Sequence, residues 1–167
     1  MPFENGSFDL VYTRQAMHHA KDIFRFGKEV ERVLKPGGCF LATREHVISS
    51  KSDLSDFLSR HSLASVYKEE NAFTVSEYVS AIKVGGMKVR AVLGSYESAI
   101  NYYPMTYENW LVYCQSKLAR RLGKNIVEVI ARDSHRLGRE ILRVTGSTLS
   151  NKDNSPGRMM SFLARKV

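Results

Sequence analysis

The feature that most restricts the fold is the succession of elements packed into the first fifty residues. Phe8 to Thr13 (FDLVYT) is a short apolar, β-rich run entered from the turn-forming Glu4-Asn5-Gly6-Ser7. From Lys21 to Lys35 the apolar residues Ile23, Phe26, Val30, Val33 and Leu34 recur at helical spacing. Asp22 opens that stretch and basic residues close it, as the helix dipole favours. Pro36-Gly37-Gly38 is expected to stop the helix, after which Cys39 to Ile48 (CFLATREHVI) begins apolar and turns polar at Arg44-Glu45-His46. Strand, helix and strand with such short loops predict one right-handed crossover of an open α/β sheet, whose strands present their carboxyl ends to a site.

Downstream the pattern continues less sharply. Leu54, Phe57 and Leu58 suggest a helix, and Thr74-Val75-Ser76-Glu77 is a capping box opening a second one through Tyr78, Val79 and Ile82, closed by Gly85-Gly86. Met87 to Leu93 (MKVRAVL) reads as a third strand and Met159 to Val167 as a last one. Between them, residues 107–123 and 125–145 read as two helices, the second with Val127, Ile130, Leu137, Ile141 and Val144 on one stripe, and 151–157 reads as a loop. The chain is therefore expected to be one domain over residues 1–167, with a helical insertion at about 105–150 before the last strand.

Composition bears on the class of function. With 43% apolar and 25% charged residues, and no apolar run of the roughly 20 residues a membrane span needs, the chain reads as an ordinary globular protein expected in the cytoplasm. Cys39 and Cys114 fall in no metal-ligand spacing and read as free buried thiols; no metal is expected. Net charge is +8, and residues 107–167 carry 12 Lys/Arg against 5 Asp/Glu, where residues 1–106 carry 13 against 12. Because Arg120, Arg121, Lys124, Arg132, Arg136, Arg139 and Arg143 are spread along amphipathic helices with few aromatics between them, a solvated helix face is preferred to a nucleic-acid grip.

Three segments together carry a family resemblance: Pro2-Phe3-Glu4-Asn5-Gly6-Ser7-Phe8-Asp9-Leu10-Val11, then Met17-His18-His19, then Arg32-Val33-Leu34-Lys35-Pro36-Gly37-Gly38. In that order and spacing they resemble the class I S-adenosylmethionine-dependent methyltransferases of the small-molecule type. The resemblance is tight over residues 2–46 and looser beyond, and residues 107–147 carry no motif of that family. It implies a partial Rossmann-like sheet made of strands 4, 5, 7 and 6 of the usual seven, with flanking helices. The Gly-x-Gly turn that cups the cofactor's methionine moiety in that family is absent from these 167 residues, and Met1 stands where the family has leucine. The expectation is thus a truncated domain, with roughly a hundred residues belonging upstream, inactive or weak in binding S-adenosylmethionine, and with a first strand whose exposed edge invites a homodimer.

The same resemblance implies Thr13, Arg14, Gln15 and His18 as cofactor-binding residues, and His19 as a residue near the substrate entrance. Read from the residues themselves, either ring of the His18-His19 pair is as readily a packed neutral imidazole as a site group. At the end of the second long strand, His46 is a candidate general base, and Arg44 and Glu45 are candidates for binding a small-molecule substrate; an ordinary salt-linked strand end is the competing reading, strongest for Glu45. Glu69-Glu70-Asn71 reads as a loop with local hydrogen bonds, and Tyr96, Tyr102, Tyr103 and Trp110 as aromatics docking the insertion in preference to a pocket wall. The expected function is methyl transfer to an unidentified small molecule, acting mainly by alignment. A self-associating interaction module and an RNA methyltransferase are the alternatives.

Overall fold

In the computed structural model, residues 2–61, 70–123, 125, 127 and 136–167 are described; Glu69, Lys124, Ile130 and Arg132, and the side chains of Arg136 and Leu137, lie outside them. The chain divides into two compact units, Met1–Leu93 with Asn154–Val167, and Gly94–Asp153. No helix among the described residues is long and apolar enough to cross a membrane.

The first unit is an α/β sheet of the expected kind. Strands β1 (Phe8–Arg14), β2 (Leu34–Ile48), β5 (Arg158–Lys166) and β4 (Met87–Leu93) lie side by side in that order, and the two-residue β3 (Phe73–Thr74) pairs in parallel with the end of β2. β1 runs parallel to β2, with Val11 opposite Phe40 and Thr13 opposite Ala42, whereas β5 is antiparallel to both neighbours. Among the described residues β1 pairs on one side alone, leaving Leu10 and Tyr12 more than half exposed.

Helix α1 (Ile23–Val33) starts where Asp22 accepts hydrogen bonds from the backbone N–H groups of Phe24 (2.9 Å) and Arg25 (3.0 Å). It ends at Val33, two residues earlier than expected: Leu34 is already extended and β2 begins there. Pro36 contributes, because the residue before a proline is driven out of the helical region. Arg32 ties α1 to the segment before β1, donating to the Phe3 carbonyl (2.8 Å) and to Asn5 Oδ1 (2.7 Å), while Gly6 N–H donates to the Arg32 carbonyl (2.9 Å). These bonds explain why the PFENG and RVLKPGG segments go together: one folds onto the other.

Helix α2 spans Leu54–Arg60, and α3 (Val75–Val84) carries the capping box as read from sequence, with Glu77 N–H donating to Thr74 Oγ1 (3.2 Å) and Thr74 N–H to Glu77 Oε2 (2.9 Å). α1 and α3 pack against each other through glycine: a Cβ on Gly27 would fall on the Ala81 carbonyl, and one on Gly85 would lie 2.5 Å from the Gly27 carbonyl oxygen. Val30, Phe40, Ala42, Tyr78, Ile82 and Phe162 are fully buried in the core beneath. Burying each large side chain contributes about 2 kcal/mol before entropy is charged against it.

The second unit is helical: α4 (Ala99–Tyr102), α5 (Tyr107–Leu122) and α6 (Arg136–Lys152). Thr106 caps α5 by accepting from Asn109 N–H (3.2 Å). Trp110 stacks against Tyr102 and Tyr107 and donates its indole N–H to the Tyr96 carbonyl (3.0 Å), while Tyr96 stacks on Tyr113. Tyr103 is exposed. α6 runs on to Lys152, into what the sequence suggested was loop, and Val144 points to solvent despite its place on the apolar stripe. Ser150 explains part of this: its hydroxyl accepts from Tyr96 N–H (2.9 Å), which uses the last helical turn as a binding surface.

Candidate active site

The polar end of β2 is buried. From Ala42 to Ile48 every residue is buried, including Arg44 (8% exposed), Glu45 (0%) and His46 (4%). Regular strand geometry sends successive side chains to opposite faces, and a β-bulge interrupts it here: the pairing with β5 shifts between Ala42 and Glu45, and Arg44 takes the left-handed φ of 57°. Ser161 Oγ, on β5, receives the Arg44 N–H (3.3 Å) inside the bulge. Glu45 and His46 resume pairing beyond it, opposite Met160 and Met159.

Glu45 faces the chain leaving β1. Gln15, with φ 48°, turns that chain back and donates its N–H to the Thr43 carbonyl (3.0 Å). A single 3-10 turn, Met17–His19, follows. The Glu45 carboxylate takes the otherwise unpartnered N–H groups at the start of this turn: Ala16 (3.3 Å) and Met17 (3.2 Å) on Oε1, His18 (3.1 Å) on Oε2, and on Oε2 also the His18 ring Nδ1–H at 2.7 Å. Both oxygens of the Glu45 carboxylate are thus engaged by the turn.

His18 is buried and His19, 39% exposed at its side chain, faces outward from the same turn. Thr13, Arg14 and Gln15 lie at the open end of β1, and Thr13 Oγ1 is a buried hydroxyl with no hydrogen-bond partner. His46 Nδ1–H donates to the Gly157 carbonyl (3.1 Å), and Tyr78 donates its hydroxyl to the His46 carbonyl (3.0 Å). Burial pushes the His46 imidazole down to about 4, so it is neutral at physiological pH. Seven of the sequence-selected residues, Thr13, Arg14, Gln15, His18, His19, Glu45 and His46, are thus gathered at the carboxyl ends of β1 and β2.

Two residues join them that the sequence did not single out as site residues, His61 and Glu70, the latter read as part of a loop. His61, which closes α2, packs its ring edge-on to His46, and Glu70 is buried beside the histidines; Asn71 makes a local bond, its Oδ1 accepting from Ala72 N–H (2.8 Å). The available signal was compositional: four of the chain's five histidines end up here.

The sheet and the turn after β1 are those of a Rossmann-like methyltransferase fold. Residues 1–42 match the family described as a methyltransferase domain. Over 42 residues, a quarter of this chain, it is 55% identical to cycloartenol-C-24-methyltransferase of Arabidopsis thaliana, and over 92 residues, 53% of this chain, it is 33% identical to a sterol 24-C-methyltransferase of Gibberella zeae. These stretches amount to 12% and 24% of the relatives' own length. Among solved structures, geranyl diphosphate C-methyltransferase from Streptomyces coelicolor, in complex with Mg2+, geranyl diphosphate and S-adenosyl-L-homocysteine, shares the fold with a TM-score of 0.56 at 13% identity, over 100% of this chain and 49% of that one.

Proposed function

We propose that this chain takes part in methyl transfer from S-adenosylmethionine to a small-molecule acceptor, with Thr13, Arg14, Gln15 and His18 bordering the cofactor. The observation that carries the reading is the Gln15–His19 turn, held by Glu45 inside the segment that matches the methyltransferase domain. Methyl transfer from a sulfonium is an in-line displacement that needs alignment more than covalent machinery, and a turn fixed by three backbone bonds supplies alignment. His19 is open enough to take a proton from an acceptor, whereas the His46 ring is committed to Gly157 on one nitrogen and faces Glu70 with the other. Arg44 stays a candidate for an anionic substrate group, the role for which Glu45 is ill suited.

Calorimetric titration with S-adenosylmethionine tests this. Without a Gly-x-Gly turn the chain is expected to bind weakly, with Kd on the order of 1 mM, and Gln15→Ala and Thr13→Val are expected to weaken binding further. Tight binding, or binding indifferent to both substitutions, would overturn the assignment.

The exposed edge of β1 supports a second reading, self-association of two copies through their first strands. Light scattering distinguishes the readings: a dimer that Leu10→Lys dissociates supports it, and a monomer at high concentration excludes it.

A further inference from the structure

Glu70 Oε1 is buried, has no hydrogen-bond partner, and is surrounded by imidazoles. His18 Nε2 lies 3.5 Å away, His46 Nε2 3.8 Å and His61 Nε2 3.9 Å. These separations are too long for hydrogen bonds. They are close to the roughly 3.4 Å that separates two ligand atoms each about 2.1 Å from a shared tetrahedral ion.

The tautomers sharpen the point. His18 uses its Nδ1–H on the Glu45 carboxylate and His46 uses its Nδ1–H on the Gly157 carbonyl, and both partners accept only. In their neutral forms each therefore aims an Nε2 lone pair at a carboxylate oxygen that also carries lone pairs. Two imidazole lone pairs and an anion facing one another out of water repel, and leaving them unsatisfied costs several kcal/mol in all. A cation between them reverses the sign. The Gly157 carbonyl behind His46 is the kind of support that orients a metal-bound histidine.

We propose that Glu70 Oε1 and the Nε2 atoms of His46 and His61, whose ligand atoms all lie within 4.8 Å of one another, form a binding site for one divalent transition-metal ion, with a fourth position left to solvent. Imidazole nitrogen with a single carboxylate suits ions of the Zn2+ and Fe2+ type better than the oxygen-seeking Mg2+ or Ca2+. The ligands come from three places in the first unit: the end of β2, the C-terminal cap of α2 and the stretch before β3. Binding would staple those segments together.

The test uses the untagged full chain. Stripped with a chelator and titrated with Zn2+ against a chromophoric competitor, it should bind one equivalent, and hundredfold excess over Kd should raise Tm by about 5 °C. Glu70→Gln and His61→Asn should each weaken binding about 100-fold. His61 sits at a helix end and is partly exposed, so its replacement should leave the circular dichroism spectrum unchanged. Co2+ in place of Zn2+ should give the visible absorption of a four-coordinate site, altered by His61→Asn. The proposal falls if fewer than about one chain in ten takes up Zn2+ or Fe2+ at micromolar concentration, or if both variants bind as the unsubstituted chain does.

Discussion

Ionisable residues meet opposite fates in the two units. At the end of β2, Arg44, Glu45 and His46 are sealed in and their partners come from distant parts of the chain, whereas the charges of α5 and α6 are spread over solvent: Arg120, Arg121 and Arg139 are exposed, and the Glu140–Arg143 pair is 56% and 72% exposed at its side chains. The difference lies in the supply of partners. A carboxylate taken out of water needs several donors to replace its hydration, and the 3-10 turn provides them. An ion pair one helical turn apart in water gains little, because solvent already does the same work.

That contrast can be broken by substitution. Glu45→Ala should destabilise the fold by about 3–5 kcal/mol, since it orphans three backbone N–H groups and the His18 ring together. Urea denaturation measures this, and a change below 1 kcal/mol would mean that the turn is held by something else. Tyr78→Phe removes one donor from the buried His46 carbonyl and should cost about 1–2 kcal/mol with the ring packing against Phe162 kept. Arg143→Ala should change stability by less than about 0.5 kcal/mol, and 0.5 M salt should make no further difference. A larger loss at Arg143 would show that the second unit uses its charges structurally after all.

Local signals in the sequence carried the sheet. The FDLVYT run and the Thr74/Glu77 box act within a few residues, and each appears in the structure where it was read, while Asp22, read as part of the first helical turn, caps the helix instead. The candidate site was half visible: strand ends could be located, and with them Thr13 to His19 and Arg44 to His46. His61 and Glu70 could not be found that way, because what makes them significant is convergence across the fold, and neither sits at a recognisable spacing from His18 or His46. The role of Glu45 was likewise hidden, since its donors lie nearly thirty residues earlier. In the second unit the stripe that includes Val144 promised burial that Val144 does not find, and α6 outran its expected end because Ser150 is recruited by Tyr96.

The extra residue at Arg44 works as a frameshift in space. Remove Thr43 or Arg44 and restore unbroken alternation, and each side chain from Glu45 to Ile48 exchanges one face of the sheet for the other. The turn after β1 would then lose its anion, and His46 would turn its back on Glu70. One deleted codon would thus dismantle the whole polar assembly while leaving all of its participants in the chain.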